Sequence, residues 1–195
     1  MLTQTAFFIR ERVGLLKLSD TYDILNPTNQ DQIGIAKEIV SGGIHVLRFL
    51  IGKKLLPTSI CVYSGQSAEA GILQFSIKRG FSLLRPKVDV LNAEGQSIGY
   101  FKSKLFSLGG AFTVHTTDGT EIAQVKGDWK GWNFKFTAGD TEIGTVSKKW
   151  SGFGKELFTS ADNYMIQLHG TPDPTMCTLL LAAGLSIDMI YKEGK

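Results

Sequence analysis

Residues 173–191 read DPTMCTLLLAAGLSIDMIY, and this stretch decides which folds can hold the chain. Asp173-Pro174 is a strong helix start, because an aspartate accepts the first unpaired N–H groups and proline fits the first helical position. From there to about Lys192 the helix is apolar nearly all round, from Met176 and Cys177 through Leu181 and Leu185 to Ile190. A helix without a polar face must lie inside a protein or inside a bilayer. The rest of the chain therefore has to supply a chamber for it, or a membrane must.

Working outward from the helix, the middle of the chain is organised by a repeat. Turn residues are followed by Ile, a small residue, any residue, an apolar residue and soon a Lys. The copies are Ile33-Gly34-Ile35-Ala36-Lys37, Ile98-Gly99-Tyr100-Phe101-Lys102, Ile122-Ala123-Gln124-Val125-Lys126 and Ile143-Gly144-Thr145-Val146-Ser147-Lys148, with a degenerate copy from Ile72. Their spacing leaves room for two strands and two turns each, so each unit reads as a hairpin. Alternating runs supply the partner strands, with Phe112 and Val114 opposite Thr113 and His115, and Trp132, Phe134 and Phe136 opposite Asn133, Lys135 and Thr137. Glu94-Gly95, Asp118-Gly119 and Gly139-Asp140 are the turn signals. Residues 44–51 read as a short inserted helix.

Sequential hairpins favour a closed antiparallel barrel, since closure removes unpaired edges. Six hairpins, including the pair over residues 10–25, give about twelve strands, and side chains alone fill a barrel only up to about eight. The helix, roughly 28 Å long at about 1.5 Å per residue, is long enough to thread such a barrel as its plug. The rival is a transmembrane span, for which about 19 residues just suffice. On the insertion scale its leucines and isoleucines contribute roughly −2 to −4 kcal/mol, most of it offset by Asp188, Ser186, Thr178 and Gly184. Withdrawing the helix would also expose an apolar lumen at about 25 cal/mol per Å². The plug is the expected arrangement.

Residues 144–193 resemble the C-terminal part of the phospholipid scramblase family. Gly144, Val146, Ser147, Lys148, Trp150, Ser151 and Gly152 match its G-x-[IV]-S-K-x-W-S-G run. Glu156, Phe158, Thr159, Ala161, Asp162, Asn163, Tyr164, Ile166 and Gln167 match the following E-x-F-T-D-A-D-N-[FY]-x-I-Q, and Ile187-Asp188 closes the helix as the family does. More loosely, residues 81–86 and 104–109 and the turn-strand units resemble the wider group of scramblases, LURP-one-related proteins and the tubby C-terminal domain. The resemblance implies a mainly β, twelve-stranded closed antiparallel barrel around a buried central C-terminal helix. One domain over 1–195 is expected, with strands from about 7 to 170 and the helix over about 174–192.

Composition agrees with that size: 195 residues, 43% apolar, 20% charged. Residues 1–8 lack the basic start and apolar stretch of a secretory signal, so a cytoplasmic, peripherally membrane-associated protein is expected. Cys61 and Cys177, far apart in apolar surroundings, read as reduced thiols. The net charge of +3 is too small to argue for nucleic acid and suits weak attraction to anionic lipid. His45, His115 and His169 stand apart, without ligand spacing, and read as solvated or strand-face histidines. Gly152-Phe153-Gly154-Lys155 lacks phosphate-loop spacing, and no nucleophile elbow occurs. No enzyme activity is expected.

Two constellations remain. In scramblases the segment aligned with residues 160–171 is described as an EF-hand-like calcium loop. Here Ser160, Met165 and Thr171 occupy its first, sixth and twelfth positions, leaving Asp162 and Asp173 as the carboxylates of a degraded loop, with Asp173 also needed as a helix cap. Any calcium binding is expected to be weak, and no other cofactor is implied. The second constellation is Trp129-Lys130-Gly131-Trp132 and Lys148-Lys149-Trp150, with Lys126 and Lys155 nearby: lysines beside tryptophans suit an anionic membrane surface, and Lys130, Lys148, Lys149, Trp129 and Trp150 are the expected lipid contacts. Tubby domains bind phosphoinositides, so the resemblance points the same way, and it implies a partner in an anionic phospholipid or phosphoinositide surface, with phospholipid translocation as the scramblase activity. The alternative is a soluble LURP-one-like scaffold barrel that holds a protein partner or small ligand.

Overall fold

The structure, a computed structural model, describes residues 1–12, 19–39, 56–80, 87–103, 111–128, 132–148, 163–171 and 173–191, with side chains described to residue 187. The strands are β1 (Ala6–Glu11), β2 (Thr21–Leu25), β3 (Gln32–Ile39), β4 (Thr58–Ser64), β5 (Ile72–Arg79), β6 (Lys87–Asn92), β7 (Ser97–Ser103), β8 (Ala111–His115), β9 (Glu121–Asp128), β10 (Asn133–Ala138), β11 (Thr141–Ser147) and β12 (Tyr164–Leu168). Helix α1 (Pro174–Tyr191) follows. Each strand pairs antiparallel with its neighbours in sequence, and β1 closes on β12 with Phe7 opposite Ile166 and Ile9 opposite Tyr164. This is the closed twelve-stranded barrel that the hairpin repeat implies. The repeats' Ile33, Ile72, Ile98, Ile122 and Ile143 all lie on β3, β5, β7, β9 and β11, the second strands of hairpins. The helix expected at 44–51 and the family-like segments 81–86 and 104–109 fall outside the described residues.

The tight turns, at 26–31, 65–71, 93–96, 116–120 and 139–140, share one end of the barrel. Glycines meet their left-handed backbone where the turns need it, with Gly95 at φ 80° and Gly119 at φ 94°. Each of these hairpins carries a register shift near its turn, as at Ile24/Leu25 and Val90/Leu91. A bulge puts one extra residue in a strand and raises its twist, which is what bends a sheet toward closure.

The alternation faces Phe75, Ile77, Val88, Phe101, Phe112 and Phe134 inward, each at most 1% exposed. α1 fills the space they leave. It begins at the turn end, after β12, and runs back toward the opposite rim, with every side chain from Cys177 to Ile187 buried. The wall must yield where the helix approaches. A Cβ on Gly99 of β7 would meet the His115 carbonyl oxygen at 2.5 Å and Leu179 Cδ2 at 2.8 Å, and one on Gly184 would strike Ile166 of β12. The two buried hydroxyls among the helix's described side chains are satisfied within it: Thr178 Oγ1 donates to the Pro174 carbonyl and Ser186 Oγ to that of Ala182, both at 2.7 Å. Among the described residues no helix is long and apolar enough to cross a membrane.

One strand differs from its reading. β8 is buried on both faces, including Thr113 and His115, which the alternation turns outward. The His115 ring stacks on Tyr100 of β7 at a centroid distance of 5.0 Å, bonds Thr113 Oγ1 at 2.7 Å and reaches the Gly119 carbonyl at 3.1 Å. A neighbouring aromatic covers it, so His115 is a strand-face histidine that is not solvated.

Placing an unpaired carboxylate at Leu181, which is 0% exposed, costs several kcal/mol against a typical total stability of about 5 to 15. Leu181→Asp is therefore expected to abolish the cooperative thermal transition and the sheet signal together. Gly184→Val tests the helix-wall contact more gently. An overpacking cost of roughly 1–3 kcal/mol should lower the denaturant midpoint, and an unchanged midpoint would contradict the close approach of α1 to β12.

Candidate functional site

The site lies at the rim opposite the tight turns, where β9 and β11 end and β10 begins. Trp132 immediately precedes β10 with φ 47°, a left-handed conformation that a bulky residue adopts only when its surroundings hold it there. Those surroundings are aromatic. Its ring lies 5.2 Å from Tyr164 and edge-on to Phe134 at 6.3 Å. β11 stops at Ser147, and the next residue, Lys148, donates its backbone N–H to the Trp132 carbonyl at 3.2 Å. Its ammonium lies 4.4 Å over the Trp132 ring, a contact worth about 0.5–1 kcal/mol at exposed sites.

Strand alternation would send Lys148 and Lys149 to opposite faces, but β11 ends at Ser147, before Lys148. Sequence adjacency groups Lys148 with Lys149 and Trp150; the structure joins it to Trp132, across the barrel ladder. Trp129, Lys130, Lys149 and Trp150 lie outside the described residues.

The wall beside this contact is lined with lysines. Lys126 of β9 stands directly opposite Lys135 of β10, and Lys87 of β6 directly opposite Lys102 of β7. Like charges in direct register destabilise a sheet, and neighbours relieve them only in part. Lys135 pairs with Glu142 at 2.6 Å, and this hydrogen bond and charge hold the Glu142 carboxyl below its ordinary range. Lys87 pairs with Asp89 at 2.7 Å, and the Tyr100 ring lies 4.5 Å from Lys87 Nζ and 5.2 Å from that of Lys102. Lys126, Asn133, Lys135, Thr137 and Asp140 line an open groove of about 470 Å³. Trp132 belongs to the basic and aromatic constellation read from the sequence; the lysine pairs across β6/β7 and β9/β10 do not. The signal that finds them is the Lys closing each repeat, once strand direction places those lysines at one rim.

The calcium constellation is not assembled among the described residues. Asp173 Oδ1 accepts the N–H groups of Thr175 and Met176 at 2.9 and 3.0 Å, and its carbonyl accepts that of Cys177 at 2.9 Å. The carboxylate thus caps α1. Asp162 lies outside the described residues, and among those described no group of three or more His, Cys, Asp or Glu could hold a metal ion. Cys61 and Cys177 are both free thiols, and burial pushes the Cys177 thiol up to about 11. Asp173→Ala should lower stability by about 1 kcal/mol through the lost cap. Millimolar calcium should leave the thermal midpoint of the parent unchanged. A calcium-induced rise that disappears in Asp173→Ala would assign the carboxylate to a metal instead.

A model of the scramblase family matches residues 75–194, from within β5 to beyond α1. Phospholipid scramblase 2 of Homo sapiens is 28% identical over 115 residues, 55% of this chain and 39% of that protein. Phospholipid scramblase family member 5 of Homo sapiens is 26% identical over 120 residues, 55% of this chain and 42% of that protein. Phospholipid scramblase 1 of Mus musculus is 41% identical over 54 residues, 28% of this chain and 16% of that protein. In these matches the chain covers less than half the length of each relative. No solved structure matches. With a family match that covers more than half its residues and takes in β6 to β12 and the whole of α1, the chain belongs to the scramblase family.

Proposed function

We propose that this barrel associates with phospholipid membranes through headgroup contacts on its outer surface, and that it prefers anionic lipid. Membership of the scramblase family carries the reading, since the match spans most of the barrel and its plug and the relatives are named as phospholipid scramblases. The geometry supports it: Lys148 rests on Trp132, an ammonium beside an indole being the pairing that suits a headgroup layer. In sequence, Trp129 and Lys130 precede that tryptophan, and Lys149 and Trp150 follow that lysine. Trp129, Lys130, Lys148, Lys149 and Trp150 form the proposed contact, with Trp132 beneath Lys148. α1 and the inward side chains fill the interior, so the reading assigns the lipid to the outside of the barrel. It assigns no catalytic group.

Each lysine near an anionic surface contributes about 1 kcal/mol, screened over roughly 8 to 10 Å at physiological salt. The variant with Lys130, Lys148 and Lys149 all replaced by Ala should therefore bind phosphatidylserine vesicles about a hundredfold more weakly at low salt, with a smaller difference at high salt. Equal binding by a folded variant would remove these lysines from the contact. No capture of the parent by vesicles of any composition would favour the scaffold-barrel alternative.

A further inference from the structure

β3, β5, β7, β9 and β11 run in one direction, from the tight turns to the opposite rim, and each carries one copy of the sequence repeat. The copies have a charge polarity of their own: Asp31 precedes Lys37, Glu94 precedes Lys102 and Asp118 precedes Lys126. The β5 and β11 copies likewise end on Lys78 and Lys148. Aligned in space, these polarities add. Every lysine and arginine among the described residues lies in the half of its strand away from the tight turns, or just past that end. α1 is aligned with this division. Asp173 caps its N-terminus at the turn end, and the negative pole of its dipole points toward the lysine end.

The positive charge is not spread evenly round the rim. On the β1–β3 flank every described lysine and arginine is engaged by a carboxylate. Buried Asp23 pairs with Arg10 at 3.0 Å and Arg12 at 2.7 Å, and Glu69 reaches Lys37 at 3.2 Å. On the β5–β10 flank Lys78, Lys102 and Lys126 are exposed and have no ion pair among the described residues. Lys102 and Lys126 moreover face Lys87 and Lys135 in direct register, an arrangement that lowers folding stability. Asp89 and Glu142 each engage one lysine, and Asp128 is exposed at the lysine end, while Glu94, Asp118, Glu121 and Asp140 are exposed at the turns.

We propose that the lysine end of the β5–β10 flank is the surface with which the barrel meets an anionic phospholipid bilayer, while the carboxylate-bearing turns point to water. This orientation rests on the phospholipid-association reading above. Lysine ammoniums act as point charges that need no fixed partner geometry, which suits a fluid layer of headgroups. The same surface repels the carboxylates of the turns, so one field both attracts the molecule and turns it.

Two reporters separate the ends. In a Cys61→Ser background an environment-sensitive fluorophore is attached either at Asn133→Cys, exposed at the lysine end, or at Ile72→Cys, 73% exposed at the turn end. The remaining Cys177 is buried, with its thiol pushed up to about 11, and does not compete for label. With vesicles containing phosphatidylserine, the label at 133 should shift to the blue and be quenched by a lipid-borne quencher, while the label at 72 stays in water. Replacing Lys78, Lys102 and Lys126 together by Gln should weaken vesicle binding about a hundredfold. Vesicle capture with the label at 72 responding as strongly as that at 133, or with the folded triple variant bound as tightly as the parent, would overturn the orientation and leave lipid association standing. Failure of the parent to float with anionic vesicles would overturn both.

Discussion

The structure depends on the burial of one helix. α1 has no polar face to offer water, and a twelve-stranded barrel has an interior that its own side chains do not fill; each element resolves the other's defect. The contact is close enough to constrain sequence on both sides. Gly99 and Gly184 sit where a Cβ would collide, and the buried hydroxyls of Thr178 and Ser186 fold back onto the helix's own carbonyls. Asp173 then supplies the start that a helix in a barrel mouth needs, since its first N–H groups have no partners from the wall.

The same topology that makes the plug necessary also sorts charge. Consecutive hairpins place every second strand in the same direction, so a repeat that begins among carboxylates and ends on lysine gives a barrel with unlike ends. A net charge of +3 conceals this division, because the sum over the chain discards where the charges lie. For a protein that meets an anionic surface, distribution decides orientation. Folding stability alone would favour opposite charges where lysines pair across β6/β7 and β9/β10, and the proposed anionic surface is what would call for them.

Fold and site were legible in the sequence to different degrees. The hairpins were legible because strand period and turn chemistry are local: Asp118-Gly119 and the alternation in Phe134-Lys135-Phe136 need no distant partner. The helix's place followed from exclusion, as an all-apolar face forbids the surface. The Lys148–Trp132 contact was not legible. Those residues are remote in sequence, joined by the β10/β11 register and by a left-handed backbone at Trp132 that no residue type announces. The burial of His115 was hidden for a related reason, because the ring that covers it, Tyr100, belongs to the neighbouring strand.

If α1 is the core of the barrel and not a detachable anchor, its backbone has no cheaper way to open than unfolding of the whole domain. Native-state hydrogen exchange measures this directly. The amides of Leu179 to Leu185 should exchange with the same free energy as the slowest amides of β7 and β12, both in buffer and with anionic vesicles present. Helix amides that exchange through a separate, lower-energy opening, or strand amides that lose protection when vesicles are added, would contradict the plugged barrel.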